Sequence, residues 1–494
     1  MIKYWQTMNE YHYFLTEAKV SFDSSEKARL HSELWEPWQK LRLFNTDNAM
    51  RFLEPFYSST GRPALNQPQI LRSLILFLFL AAKGLTSLSL TLWVEKLKSD
   101  RVLAALIGCS TDSLPPLGSY YDLIDRLWDC SCTELYKRNK LLPASWHSHK
   151  PDKPKGKKQK APEKHPQITE ALGNRLLQNK DILFNFEAFL QQFFYLVAVI
   201  PSLNCGIIPS DILTVSGDGT AVHTHAAPNG HIPKHMLPVD DPKSSPRHFS
   251  DPDATWGYDS DLEKSYYGYT LFHLSCHNDK LHVDVPLLLR FTSAARHDSV
   301  SFWVAFHELE KHMPLIKPHN ICLDSAMDNY PTYRLLKDRG ISAFIDLNSN
   351  RGRPKSIPDS IRIDKDGTPI CSAGFRMVPN GSDKSNGTLI WRCPFGKEHA
   401  AKCPNNCSSS KYGRVIKTKA EWDIRLYTDV PRGTDAYKDI YKQRTATERI
   451  NNRILNDYGL QRMKIHTKKH YSFITTFIGI CLHLDAMFKQ QSTT

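Results

Sequence analysis

The spacing of apolar and polar positions changes character more than once along the chain. As far as about residue 148, apolar side chains recur at helical intervals, most clearly in "LNQPQILRSLILFLFLAAKGLTSLSLTLWVEKLKSDRVLAALIG". The pattern breaks at Gly84 and stops near Gly108, since glycine weakens a helix interior and suits a helix end. "PPLGSYYDLIDRLWDCS" resumes it after two prolines. Short helices joined this way predict an all-helical N-terminal domain over 1–148, either a helix-turn-helix unit for DNA or a bundle that only packs. "HKPDKPKGKKQKAPEKHP" follows, with almost no large apolar residue, and predicts a basic Lys/Pro linker over 149–167.

Helical spacing returns from about 168 to 205 and then yields to strand patterning. "DILTVSGDGT", "YYGYTLFHLSCH" and "LHVDVPLLLRFTSA" read as strands, and "RHDSVSFWVAFHELEKHM" as a helix with Asp298 or Ser299 at its N-cap. "HNICLDSAMDNYPTYRLLKDRG" reads as a strand running into a helix, and "ISAFIDLN" as a further strand. Neighbouring strands followed by alternating helix and strand predict a mixed α/β sheet with flanking helices over 168–494. Residues 349–425, rich in Gly, Pro, Ser and Asn, break that rhythm before the helical "DAYKDIYKQRTATERINNRILNDYG". They are expected to form an insertion ahead of the last helix of the α/β core.

Composition adds a partner and a compartment. The chain has 494 residues and a net charge of +13, which favours a polyanionic partner. "LILFLFLAA" (Leu74 to Ala82), the longest apolar run, is too short to span a bilayer, and "MIKYWQTMNEYHYF" has no apolar core of a secretion signal. The expectation is a cytoplasmic protein without a membrane partner, its cysteines reduced. Cys371, Cys393, Cys403 and Cys407 fall close together, but only the last two have the paired spacing of zinc ligands. They form either a structural Zn2+ site, with His399 as an alternative ligand, or a set of buried thiols. Cys130 and Cys132 are expected in the core.

The candidate chemistry lies in carboxylates at the ends of apolar runs. Asp218 closes "ILTVSGD" and Asp324 closes "NICLD". Glu448 shares a helical stripe with Tyr441 and Arg444, at offsets of seven and four residues, which a 100° step per residue brings to one side. Hard divalent cations take carboxylate oxygens, and phosphodiester chemistry can use two such ions about 3.5–4 Å apart. Asp328 is expected to start or solvate its helix. His223, His225 and His297 are expected to be structural or to face DNA.

"DGTAVHTHA", "DSAMDNYPTYRLL" and "YKQRTATER" resemble the DDE transposases of bacterial insertion sequences, in particular the group with a Tyr-x2-Arg-x3-Glu-x6-Lys signature. "DPDATWGYDS", "YYGYTLFHLS", "ARHDS" and "YSSTGRPALNQPQILRSLILFLFL" extend the likeness over most of the chain. The resemblance implies a ribonuclease H-like core with Asp218, Asp324 and Glu448 as the catalytic triad. It implies two Mg2+ ions held by that triad, with Mn2+ able to substitute. It implies cleavage of double-stranded DNA at the terminal inverted repeats of a transposon, then joining of the freed 3′-hydroxyl to target DNA by a homodimer at the nucleoid. Tyr441 and Arg444 would hold DNA phosphate. The signature lysine falls at Leu455, so Arg453 or Lys464 would supply that cation. A catalytically inactive or domesticated DNA-binding derivative is the alternative.

Overall fold

The computed structural model describes residues 2–128, 141–146, 164–181, 187–259, 262–348, 354–383, 385–405 and 407–493. Most of the expected linker (149–163), Cys130, Cys132 and the side chain of His399 lie outside them. The last residues of the Lys/Pro stretch already belong to a helix, Lys164–Leu177.

The core sheet is mixed. It is built from β1 (Thr214–His223), β2 (Thr255–Asp259), β3 (Lys264–Asn278), β4 (Val283–Ser293), β5 (Asn320–Leu323) and β6 (Ser342–Ile345). The order is β2-β3-β1-β5-β6, and β4 also pairs with β3. β3 is long enough for β2 and β4 to take successive halves of one edge while β1 takes the other. β1, β5 and β6 run parallel, and β1 is antiparallel to β3. β2 carries no clear period and was not foreseen. β1 also runs past Asp218 to His223, because Gly219 to His223 continue the ladder with β3.

The C-terminal helix (Lys468–Thr493) ties the two ends of the chain together. It packs on β4 and also on the helices Trp35–Leu43 and Gln67–Ala82. It is long and apolar enough to cross a membrane by length and composition, yet 83% of its apolar window is buried inside the protein. Gly479 permits the close approach, since a Cβ there would meet Leu289 Cδ1 at 2.6 Å and Phe194 Cε2 at 3.0 Å. The N-terminal helices and the sheet consequently share one hydrophobic core.

Between β6 and the last helical region the chain builds a separate small core. β7 (Arg362–Ile363) pairs with β8 (Pro369–Ile370), and β9 (Val378–Asp383), β10 (Thr388–Arg392) and β11 (Val415–Lys419) form a three-stranded sheet. Ile357, Met377, Leu389, Trp391, Leu426 and Tyr427 pack together there, with Cys371 among them. Buried charge fastens this segment to the main sheet. Arg425 reaches Asp328 at 2.8 Å and Asp423 at 3.0 Å, and Arg432 donates to Tyr333 Oη at 2.6 Å. Asp328 is therefore neither a helix start nor solvated: it is buried against an arginine from a distant segment. The cap of helix Asp298–His312 also differs from expectation. His297 is the N-cap, its Nδ1 accepting from Ser299 N at 3.2 Å.

Candidate active site

Register brings two of the acidic residues together. Ser216 on β1 is the parallel partner of Cys322 on β5. Two residues further along each strand lie Asp218 and Asp324, on the same face because side chains alternate with period two. Asp324 remains extended (φ −79°, ψ 179°), and its Oδ1 accepts from Ala326 N at 3.0 Å, which caps a short turn. On the opposite face of β1, Gly219 leaves room for Asp298, whose Oδ1 lies 2.6 Å from where a Cβ would stand.

The third carboxylate arrives on a broken helix. The expected continuous run resolves into Asp435–Tyr441, a tight turn Lys442–Arg444, the catalytic helix Thr445–Asn452 and a wider π turn Arg453–Asp457. Ala446, Thr447 and Ile450 are buried where this helix crosses β1, β3 and β4. Glu448 stays exposed, and Arg444 Nη2 donates to its Oε1 at 2.7 Å. Tyr441 and Arg444 thus still lead towards Glu448, though through a tighter turn than one straight stripe.

Burial and like charge act on the two aspartates and on Asp298. Burial, reinforced by the like charges of Asp324 and Asp298, pushes the Asp218 carboxyl up to about 7. Burial and Asp324 push Asp298 up to about 6, and burial raises Asp324. Burial alone would lower the Arg444 pKa, yet it is raised, through Tyr441, Asp218, Glu448 and Asp324. Arg444 thus pairs directly with Glu448 and lies within the field of Asp218 and Asp324. Excess acidic oxygen suits a hard cation. Among the described residues, however, no three His, Cys, Asp or Glu side chains are gathered as a metal set, and Glu448 is paired with Arg444.

The other expected site residues are placed differently. Tyr441 Oη donates to Leu323 O at 3.3 Å and also bonds with Asp346, just past β6. Arg453 is paired with Asp485 of the C-terminal helix, and Leu455 packs against the core. Lys464 is exposed. His223 stacks on Tyr266 at 4.8 Å, and His225 meets Gln461 O at 3.3 Å. Cys371 and Cys393 are buried, whereas Cys403 and Cys407 are half-buried, and Cys403 Sγ donates to Asn405 O. Among the described residues these cysteines are not gathered as a metal set, and Cys371 lies in the small apolar core, as the buried-thiol alternative has it.

Two neighbours were missed. Asn451 Nδ2 donates to Asp218 Oδ2 at 3.4 Å, and its Oδ1 meets His273 Nε2 at 2.9 Å. The signal was faint: Asn451 lies three residues after Glu448, and His273 is a polar interruption in an apolar strand.

Asp218 and Asp324 thus share one end of a mixed sheet, with the helix bearing Glu448 and Arg444 beside them. Residues 217–482, more than half of the chain, match the family model described as the transposase DDE domain, and that span contains Asp218, Asp324 and Glu448. The chain belongs to this family, as a transposase of the insertion-sequence type, with the ribonuclease H-like fold that the domain implies. A comparison with curated proteins finds no match.

Proposed function

We propose that the protein cleaves phosphodiester bonds at transposon ends and joins the resulting 3′-hydroxyls to target DNA, with Asp218, Asp324 and Glu448 as its catalytic carboxylates. The observation that carries this reading is the parallel register of β1 and β5, which sets Asp218 and Asp324 on one face, with the helix that bears Glu448 packed across β1. Family members generally use divalent ions such as Mg2+. Bound here, two Mg2+ or Mn2+ ions would polarise the scissile phosphate and ease formation of the attacking oxyanion.

The chain's own groups divide the remaining work. Asp218 and Asp324 present oxygens from a rigid sheet edge. Glu448 completes the set by exchanging Arg444 for a cation. Arg444, once released, is free to donate two parallel hydrogen bonds to DNA phosphate, with Tyr441 setting the turn beneath it. Lys464, exposed and cationic, takes the role of the signature lysine, since Arg453 is committed to Asp485. Double-stranded terminal repeats and target DNA are the substrates, held by the helical region 1–148 and the basic 149–167 segment of a homodimer in the bacterial cytoplasm.

The test is incubation of the purified protein with DNA carrying its element's ends and Mg2+, followed by mapping of nicks and joined products. Cleavage at the ends is expected, with loss of at least about 100-fold in Glu448→Gln at unchanged DNA affinity. Wild-type protein that binds the ends without cutting them would overturn the assignment.

A further inference from the structure

Asp218 on β1 and His273 on β3 are direct cross-strand partners, so both side chains rise from the same face of the sheet. The catalytic helix crosses that face and lays Asn451 between them. His273 is fully buried, and its Nδ1 has no hydrogen-bond partner. Full burial disfavours a charged imidazole, so the ring is neutral. A neutral imidazole carries one N–H. Placed on Nδ1, that hydrogen would be stranded in the core; placed on Nε2, it meets Asn451 Oδ1 at 2.9 Å. Oδ1 then faces histidine, and the amide NH2 must face the Asp218 carboxylate. The reverse orientation would set donor against donor at His273 and oxygen against oxygen at Asp218.

From this relay we propose that Asn451 is a positioning residue for Asp218, and that His273 acts through it by fixing which way the amide points. The pair engages Oδ2 of Asp218, favours its ionised form and leaves Oδ1 for a cation. The inference rests on the reading that Asp218 is a metal ligand. Neither residue touches substrate, so the effect falls on how well the first carboxylate is presented. Partners of this kind typically alter metal affinity by about 10–100-fold.

The experiment is Mn2+ titration of the full-length protein without DNA, followed by electron paramagnetic resonance, with thermal melts as the folding control. Asn451→Leu and His273→Phe, which keep bulk and lose the hydrogen bonds, are expected to weaken Mn2+ binding by about 10–100-fold. His273→Gln, whose amide N–H reaches about as far as Nε2–H, is expected to retain most of the affinity. Asn451→Leu, on a half-exposed helical position, carries the test if the buried His273 variants fail to fold. Asp218→Asn separates the two levels. If it leaves Mn2+ binding intact, the metal-ligand reading itself fails. If it abolishes binding while Asn451→Leu and His273→Phe bind as the wild type does, the relay is wrong. A His273→Gln variant as weak as His273→Phe also overturns it, because a packing role alone would then explain both.

Discussion

Arg444 Nη2 and Glu448 Oε1 stand 2.7 Å apart across one helical turn, and the same guanidinium lies within the field of Asp218 and Asp324 on the sheet. If Glu448 is a metal ligand, as proposed, cation binding and this ion pair would be alternatives for it. Arg444→Met is expected to tighten Mn2+ binding severalfold while lowering DNA cleavage by at least about 10-fold. Titration and cleavage assays on one preparation check both, and weaker Mn2+ binding in the variant would count against the exchange.

If Asp218 is a metal ligand, as proposed, proton and metal would compete there. Its carboxyl is raised to about 7, so divalent affinity should climb from pH 6 to 8 and flatten above. The sign for folding is opposite. A carboxyl whose folded-state pKa is raised contributes stability that is complete below the ordinary carboxylate range and is lost as pH rises through about 7. Asp298, raised to about 6, acts in the same sense. Melting in chelator is thus expected to show this contribution disappearing between about pH 4 and 7, and added Mg2+ to offset the loss most at the upper end. Mn2+ affinity that is flat over that range would contradict the account.

The inserted segment depends on buried charge. Arg425→Met would leave Asp328 and Asp423, both fully buried, without their cation. Breaking a buried pair from one side costs about 3–5 kcal/mol. The expected result is faster proteolysis within 349–425 and a lower urea midpoint. The double replacement Arg425→Met with Asp328→Leu should recover part of the loss.

Close packing at Gly479 is a second structural lever. Gly479→Val places its added carbon atoms against Leu289 and Phe194, which lie 2.6 and 3.0 Å from an ideal Cβ. Overpacking of this kind costs about 1–3 kcal/mol. Because the same helix bears on Gln67–Ala82, hydrogen exchange in that N-terminal helix is expected to speed up along with exchange in β4. Unchanged exchange in Gln67–Ala82 would show that the shared core is not coupled.

Much of the architecture was legible as pattern. The apolar stretches "YYGYTLFHLSCH" and "LILFLFLAA" are buried almost throughout as a strand and a helix, a local choice that composition and length report along one segment. Asp324 was readable for the same reason, as a carboxylate that stops an apolar strand. β2 was not, since its pairing with β3 is supplied by the partner strand and not by any period of its own. Asp328 misled because nothing near it announces Arg425, 97 positions away.

What the sequence by itself determined is most of the elements of the helical region and the main sheet, the basic charge and the order of acidic motifs that marks the family. Those are properties of neighbouring residues and survive in one dimension. Tertiary structure alone decided that β1 passes beyond Asp218, that Arg453 is committed to Asp485 and that Arg444 pairs with Glu448 within the field of Asp218 and Asp324. It also decided that Asn451 stands between Asp218 and His273. Register, burial and hydrogen-bond direction depend on which distant segments meet, and only the packed sheet and its crossing helix specify that.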